Sequence, residues 1–262
     1  MKAIILCGGQ GTRLREYTEL LPKPMVEIGG RPILWHIMKT YAHYGVNEFI
    51  LCLGYKGHLI KEYFLNYEAM NTDFTVELGK QNRFSYHGAT HSEDGWKVTL
   101  VDTGEGTMTG GRVKRAAKYL GDKKETFFVT YGDGVSNVNI NSLLAFHKSH
   151  KKHATLTAVR PPSRFGVLET EGGRVKSFIE KPNTDQTLIN GGYFCFEPVF
   201  LDYISDAADC ILERDPLEKC AQEDQLQAYE HTGSWQCMDT YRDWELLQKQ
   251  WQSGKAPWKV WE

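Results

Sequence analysis

Along the first half of the chain, short apolar runs alternate with stretches whose apolar residues recur every three or four positions. Residues 3–7, Ala-Ile-Ile-Leu-Cys, form the first run and read as a buried strand. Pro32 suits the first turn of a helix whose Ile33, Leu34, Ile37, Met38 and Tyr41 share one face, and Gly45 is placed to stop it. Residues 49–53 repeat the strand pattern. Ile60, Tyr63, Phe64 and Tyr67 repeat the helical one, and residues 75–78 read as a third strand. This alternation predicts an α/β fold with a doubly wound, mostly parallel sheet, in which ligands sit at the carboxyl ends of strands.

Residues 79–95 are polar and aperiodic, and are expected to form a long excursion suited to contacts between copies. A strand over 96–101 and a helix over about 113–120 follow, with Thr109 as the expected N-cap. Residues 125–131 are strongly β-like and end at Gly132-Asp133-Gly134. Residues 139–150 read as a helix with Leu143, Leu144 and Phe146 inward. His147, His150 and His153 cross its end, and read as a solvated polar face rather than a metal site.

The pattern changes at residue 154. A strand over 154–159 precedes two runs, 165–170 and 174–179, that flank Glu171-Gly172-Gly173 as in a hairpin. Residues 188–196 form a strand interrupted by Gly191 and Gly192, where a ligand could come close. Two short helices (198–204, 216–221) and a strand over 226–230 lead to a last helix, opened by Thr240 with Asp243 as capping-box partner. An antiparallel portion (151–262), expected to carry a second substrate, thus follows the doubly wound core (1–150), where the strand ends would hold the first. The expectation is one domain over 1–262.

Composition narrows the function classes. A net charge of −2 gives no basic field for nucleic acid, so a polyanionic substrate has to be met by local cations. The six cysteines contain no Cys-x-x-Cys pair, which argues against a zinc site and a disulfide framework and fits a reducing cytoplasm. No apolar run approaches membrane-spanning length, so no membrane association is expected.

The chemistry concentrates where the first strand ends. Gly8, Gly9 and Gly11 let backbone N–H groups approach a ligand closely, and Arg13 adds a planar fork suited to phosphate. Lys23 stands between Pro22 and Pro24, which should hold it on a stiff extended arm. Leu14 stands where a dinucleotide fingerprint needs glycine, and no P-loop is present. A glycine cluster alone is as often a tight turn; with Arg13 and Lys23 it reads as a nucleoside triphosphate site. Asp133, between two glycines at a strand end, suits Mg²⁺ or a turn. Asp239, at a helix entry, is either a cap residue or its partner.

The pattern G-G-x-G-T-R-L followed by K-P-M resembles the signature of the sugar-1-phosphate nucleotidylyltransferases. GYKGHLIKEYF, VTLVDTG, MTGGRVKR, TYGDGV, RFG, EKP, INGG, WQCMDTYRD and GKAPWK extend the likeness along almost the whole chain, and within that family it resembles the glucose-1-phosphate cytidylyltransferases. The resemblance thins over 79–95 and 202–215. Cys7 stands where alanine is usual.

The resemblance implies a soluble, Mg²⁺-dependent homo-oligomer, often a hexamer, acting on CTP and glucose 1-phosphate. It implies that Leu6, Cys7, Gly8, Gly9, Gln10, Gly11, Thr12 and Arg13 hold the nucleotide, joined by Thr107, Arg112 and Gly132. Lys23 would contact the reacting phosphate, with Arg13 and Asp133 also catalytic. Asp133 and Asp239 would hold Mg²⁺, and Glu180, Lys181 and Asn190 the sugar phosphate. A uridylyl- or thymidylyltransferase on the same scaffold, and a non-catalytic sugar-nucleotide-binding protein, are the alternative readings.

Overall fold

The structure is a computed structural model, and it describes residues 1–79, 83–88, 91–121, 125–161, 167–179 and 187–262. Its centre is a seven-stranded sheet. The strands in chain order are β1 (Lys2–Leu6), β2 (Glu48–Leu53), β3 (Lys97–Asp102), β4 (Phe127–Tyr131), β5 (Ala154–Val159), β6 (Ile189–Phe196) and β7 (Leu226–His231). Across the sheet they lie in the order β7-β5-β6-β4-β1-β2-β3. β1 sits between β2 and β4 and is parallel to both. β6 alone runs against its neighbours, β4 and β5. The sheet is therefore mostly parallel, and its second half does not form a separate antiparallel layer: β5, β6 and β7 extend the same sheet.

β1 shows why the apolar run is unbroken. Ala3, Ile5 and Cys7 face one core cluster, and Ile4 and Leu6 face the other. A strand covered on both faces cannot alternate apolar with polar. Helix α1 (Ile33–His43) covers the first face with Ile33, Leu34, Ile37, Met38 and Tyr41, all buried, and ends where Gly45 takes a positive φ of 85°. Helices α2 (Gly57–Leu65), α3 (Thr109–Ala116), α4 (Ile140–His150), α5 (Asp215–Gln222) and α6 (Tyr241–Gln252) complete the layers. α6 is capped as its sequence predicts: Thr240 and Asp243 form a reciprocal capping box.

Three expectations are overturned. Residues 75–78 are not a strand of the main sheet. Asp73–Val76 pairs instead in a two-stranded ribbon with Phe84–His87, a strand inside what had read as a featureless loop. Phe74, Val76, Phe84 and Tyr86 are exposed on it, so their β propensity is satisfied without a core. Thr109 does not cap α3; Met108 holds that position and the Thr109 hydroxyl is used elsewhere. His147 is not solvated: it is buried, bonded to Thr155 at 2.8 Å and 3.3 Å from Glu197.

The C-terminal segment is tied to α1 through a histidine. Trp258 is buried, and its indole N–H points at His36 Nδ1, 3.4 Å away. His36 Nε2 in turn donates to the Ile28 carbonyl at 2.9 Å. With both ring nitrogens used by the neutral tautomer, burial lowers the His36 pKa to about 4. This gives a pH signature. The unfolded chain binds a proton at His36 below about 6.5, which the folded chain refuses until about 4. The stability from a neutral His36 is therefore complete above about 6.5 and is lost as pH falls towards about 4. In thermal melts across that window, His36→Phe should show a smaller decline in Tm than the parent protein.

Candidate active site

A cleft of about 310 Å³ opens at the carboxyl ends of β1 and β4, lined by the glycine turn, Lys23, residues 107–109, Arg112, Tyr131, Gly132 and Asp133. Gly132 N–H donates to the Leu6 carbonyl at 3.0 Å, which closes its floor. A side chain at Gly132 would come within 2.8 Å of that carbonyl oxygen and 3.3 Å of Cys7 Sγ, so glycine is required there.

Two carboxylates from distant segments meet at this cleft. Asp133 follows β4, and the next residues, Gly134–Ser136, pair antiparallel with Trp235–Cys237. Met238 N–H donates to the Asp133 carbonyl at 2.9 Å. This short ladder carries Asp239 to Asp133. Asp239 stands just before the Thr240 cap, so α6 fixes its backbone, and its N–H donates to Asp243 at 3.1 Å.

Lys23 bridges the pair. Its ammonium is 2.7 Å from Asp133 and 2.5 Å from Asp239, with a side chain only 8% exposed. Pro22 and Pro24 do not hold it on an extended arm: Lys23–Met25 is a 3₁₀ turn that aims the side chain inward. Burial alone would lower the Lys23 pKa, but the Asp133 and Asp239 carboxylates outweigh it and raise it. Burial would raise the Asp239 pKa, but Lys23 and Arg13 hold it below the usual carboxylate range. Arg13 reaches Asp239 at 2.8 Å and is otherwise exposed.

Asp133, Asp239 and Cys237 each offer one ligand atom within 4.8 Å of the others, the one such group found among the described residues. The two carboxylates are hard oxygen donors, and the cleft leaves room for phosphate oxygens and water. That set suits a hard divalent cation. Cys237 is too soft a donor for such an ion, and burial together with both carboxylates keeps its thiol protonated.

Arg112, which lines the cleft, also holds backbone around it. It is 4% exposed, and its two terminal nitrogens donate to the carbonyls of Leu53, Gly8 and Glu105 and to the Thr103 hydroxyl, all between 2.7 and 3.0 Å. It clamps the glycine turn to the loops after β2 and β3. A Cβ at Gly8 or Gly54 would lie 2.1 or 2.5 Å from this guanidinium, which explains both glycines.

Of the expected nucleotide contacts, Leu6, Cys7, Gly8, Gly9, Gly11, Thr12, Arg13, Lys23, Thr107, Arg112 and Gly132 line the cleft, and Gln10 does not. Asn190 lies beside it through Tyr131. Glu180 and Lys181 lie outside the described residues. Sequence reasoning missed Tyr131 and Glu213. Tyr131 reads only as the end of a strand, and nothing in the run Ile211-Leu212-Glu213-Arg214 marks Glu213 as polar machinery.

The family model for nucleotidyl transferases matches residues 2–245. The chain belongs to the nucleotidyl transferase family. This nucleotidyl transferase is 53% identical over 263 aligned positions to the glucose-1-phosphate cytidylyltransferase of Salmonella typhi, with 100% of each chain covered. It is 32% identical to the mannose-1-phosphate guanyltransferase beta-A of Xenopus laevis, across 90% of this chain and 60% of that one. The crystal structure of HddC from Yersinia pseudotuberculosis has the same fold, with a TM-score of 0.67 at 24% identity over 95% of this chain and 99% of that one. The likeness thus reaches across enzymes named for different bases.

The ion cluster sets a test. Lys23→Ala leaves two neighbouring carboxylates without their buried cation. Breaking such a pair typically costs on the order of 3 kcal/mol, so Tm in chelator should fall. Millimolar Mg²⁺ should raise the Tm of the variant more than that of the parent, since the divalent ion replaces the missing charge. Equal Mg²⁺ responses in differential scanning fluorimetry would count against the cluster as a cation site.

Proposed function

We propose that the enzyme transfers a cytidylyl group from CTP to α-D-glucose 1-phosphate, giving CDP-glucose and pyrophosphate, with Mg²⁺. The observation that carries this reading is the 53% identity along the full chain to an enzyme of that name. The site chemistry supports the reaction type. The sugar phosphate is a monoester with a second pKa near ~6, so its oxygen is largely ionised at neutral pH and needs no general base. That oxygen attacks the α-phosphorus, the bond to the β-phosphate oxygen breaks, and pyrophosphate leaves.

What this chemistry needs is two polyanions held in line and charge neutralised as it moves. Lys23 would neutralise the reacting phosphate, and Arg13, exposed at the cleft rim, would hold the outer phosphates. Asp133 and Asp239 would hold Mg²⁺, which when bound neutralises phosphate oxygens and screens the two carboxylates from the substrates. Arg112 keeps the glycine turn in shape. Glu180, Lys181 and Asn190 would take the sugar phosphate.

Base reading has fewer free groups than the sequence suggests. The carbonyls of Gly8 and Gly11 already accept two hydrogen bonds each. Thr107 Oγ1 accepts from Arg115 at 2.7 Å, which leaves its proton to give to a pyrimidine carbonyl. The exocyclic amino group of cytosine would then be read by another carbonyl of the turn. A wrong base would leave buried groups unpaired, a strong basis for rejection.

The proposed setting is the cytoplasm; no helix among the described residues is long and apolar enough to cross a membrane. Assembly into a homo-oligomer is supported by two ribbons with exposed apolar side chains. One carries Phe74, Val76, Phe84 and Tyr86, and the other Leu168, Val175, Phe178 and Ile179. Such surface is uncommon on a monomer. Light scattering should give a mass several times that of one chain, and Phe84→Lys with Tyr86→Lys should lower it.

Activity decides the substrate. Four nucleoside triphosphates assayed with glucose 1-phosphate by pyrophosphate release should give efficient turnover with CTP and much poorer use of dTTP and ATP. UTP should be the leading misreading, because it differs from CTP at the edge being read. Comparable kcat/KM for CTP and dTTP would move the enzyme to the thymidylyl branch, and no pyrophosphate release with any of the four would make it a binding protein.

A further inference from the structure

Beside the cleft, away from the ion cluster, runs a chain of hydrogen bonds in which each hydroxyl proton has one partner. Thr109 and Tyr131 line the cleft, Glu213 lies just before α5, and Asn190 is the second residue of β6. Thr109 Oγ1 accepts from the Leu212 N–H at 2.9 Å and donates to Glu213 Oε2 at 2.6 Å. Tyr131 hydroxyl donates to Glu213 Oε1. Asn190 Nδ2 donates to the Tyr131 oxygen at 3.2 Å, and Asn190 Oδ1 accepts from the Gly192 N–H at 2.8 Å.

The direction of this chain follows from its end. A carboxylate has no proton to give, so both hydroxyls that reach Glu213 must donate to it. Tyr131 has one proton, and it is spent there. Its oxygen can then only accept from Asn190, so Asn190 has to turn its amino group towards it. The amide oxygen is left for Gly192 N–H, the one donor on that side. A flipped amide would set oxygen against oxygen and N–H against N–H. Two contacts therefore fix one amide orientation, and the second N–H of Asn190 carries no hydrogen bond among the described residues.

The ring is held as tightly as its proton. Gly192 has a φ of 77°, and a Cβ there would lie 2.3 Å from the Tyr131 ring. The edge of the ring packs against this backbone, which restricts where its hydroxyl can point.

We propose that Glu213 is a positioning residue for the second substrate. By setting the polarity of the relay through Tyr131, it makes Asn190 present an N–H donor, and not an acceptor, to an oxygen of a sugar phosphate. The ligand class follows: an acceptor-rich, anionic sugar ester on the β6 side of the cleft. This rests on the reading that the enzyme uses glucose 1-phosphate.

The test is steady-state kinetics on the full-length protein, varying glucose 1-phosphate at saturating CTP and then the reverse. Glu213→Gln lets the relay run in either direction, and Tyr131→Phe removes it. One lost oriented hydrogen bond is worth about tenfold. Each variant should raise KM for glucose 1-phosphate about tenfold, with KM for CTP changed less than twofold. The double variant should be no worse than either single one, because both cut the same relay. Asn190→Asp, which puts an acceptor where the donor was, should raise the same KM at least as far with Glu213 in place.

Equal rises in both KM values would mean that Glu213 only braces the cleft, and would overturn the proposal. So would additive effects in the double variant, or a Glu213→Gln enzyme indistinguishable from the parent. If Glu213→Gln does not fold, Tyr131→Phe, which loses one hydroxyl, decides by the same split of KM values. A parent protein with no turnover of glucose 1-phosphate would instead refute the functional reading on which this proposal rests.

Discussion

The contact between Lys23 and the two aspartates is the constraint around which this enzyme is arranged. Its partners are 110 and 216 positions from the lysine in the chain. Two carboxylates held this close and partly shielded from water repel each other unless a cation sits between them. Lys23 is that cation within the protein. A lysine with this duty cannot be freely solvated, which is why it is one of the few buried lysines and why a 3₁₀ turn, not an extended arm, delivers it. The same geometry makes the site chemically useful. Groups arranged to attract a cation on one side and phosphate on the other describe both the resting protein and the needs of phosphoryl chemistry.

Close backbone approach is the second organising feature, and it accounts for the glycines better than ligand binding alone. Gly8 and Gly54 are glycines because the Arg112 guanidinium passes over them, Gly132 because the Leu6 carbonyl meets it, and Gly192 because the Tyr131 ring lies on it. In each case a bulky polar or aromatic group takes the space a Cβ would fill. A glycine-rich signature is thus partly a record of the protein's own packing. The buried arginine spends both terminal nitrogens on three carbonyls and the Thr103 hydroxyl, and so shapes the turn.

Much of this was legible in the order of residues. Unbroken apolar runs at β1, β2 and β4 can only be strands covered on both faces, and the Thr240–Asp243 pair announces a helix start. The glycine turn, Lys23 and Asp133 were readable because strand ends in such sheets collect ligands. What was hidden depends on pairing between distant segments. Residues 75–78 have β propensity, but propensity does not say which sheet will take a strand. Thr109 is a good N-cap by type, yet Glu213, more than a hundred positions away, offers its hydroxyl a stronger acceptor. His147 is polar by type, but its helix turns it onto β5, where Thr155 pairs with its Nδ1 and Glu197 lies near its Nε2. An antiparallel portion was expected after residue 150; that β6 alone is reversed in the main sheet was not legible, since direction within a sheet leaves no mark on a strand covered on both faces.

That one reversed strand shapes the division of labour. β4 runs towards the cleft and ends at Tyr131, next to the glycine turn. β6, running the other way between β4 and β5, begins there, so Asn190 and the two glycines after it arrive at the same rim from the opposite direction. A parallel strand in that place would deliver its carboxyl end, and the chain would need a long crossover to reach it. Reversal brings the start of a strand to the cleft, where Gly191 and Gly192 can bend without breaking the buried run that follows. On the proposed reading the parallel half and its turn would provide the phosphate contacts, with Asp239 from the entry of α6 completing the carboxylate pair. The reversed strand supplies an amide whose direction is set by Tyr131 and Glu213, which on the proposed reading would discriminate among the molecules that are to receive the nucleotide.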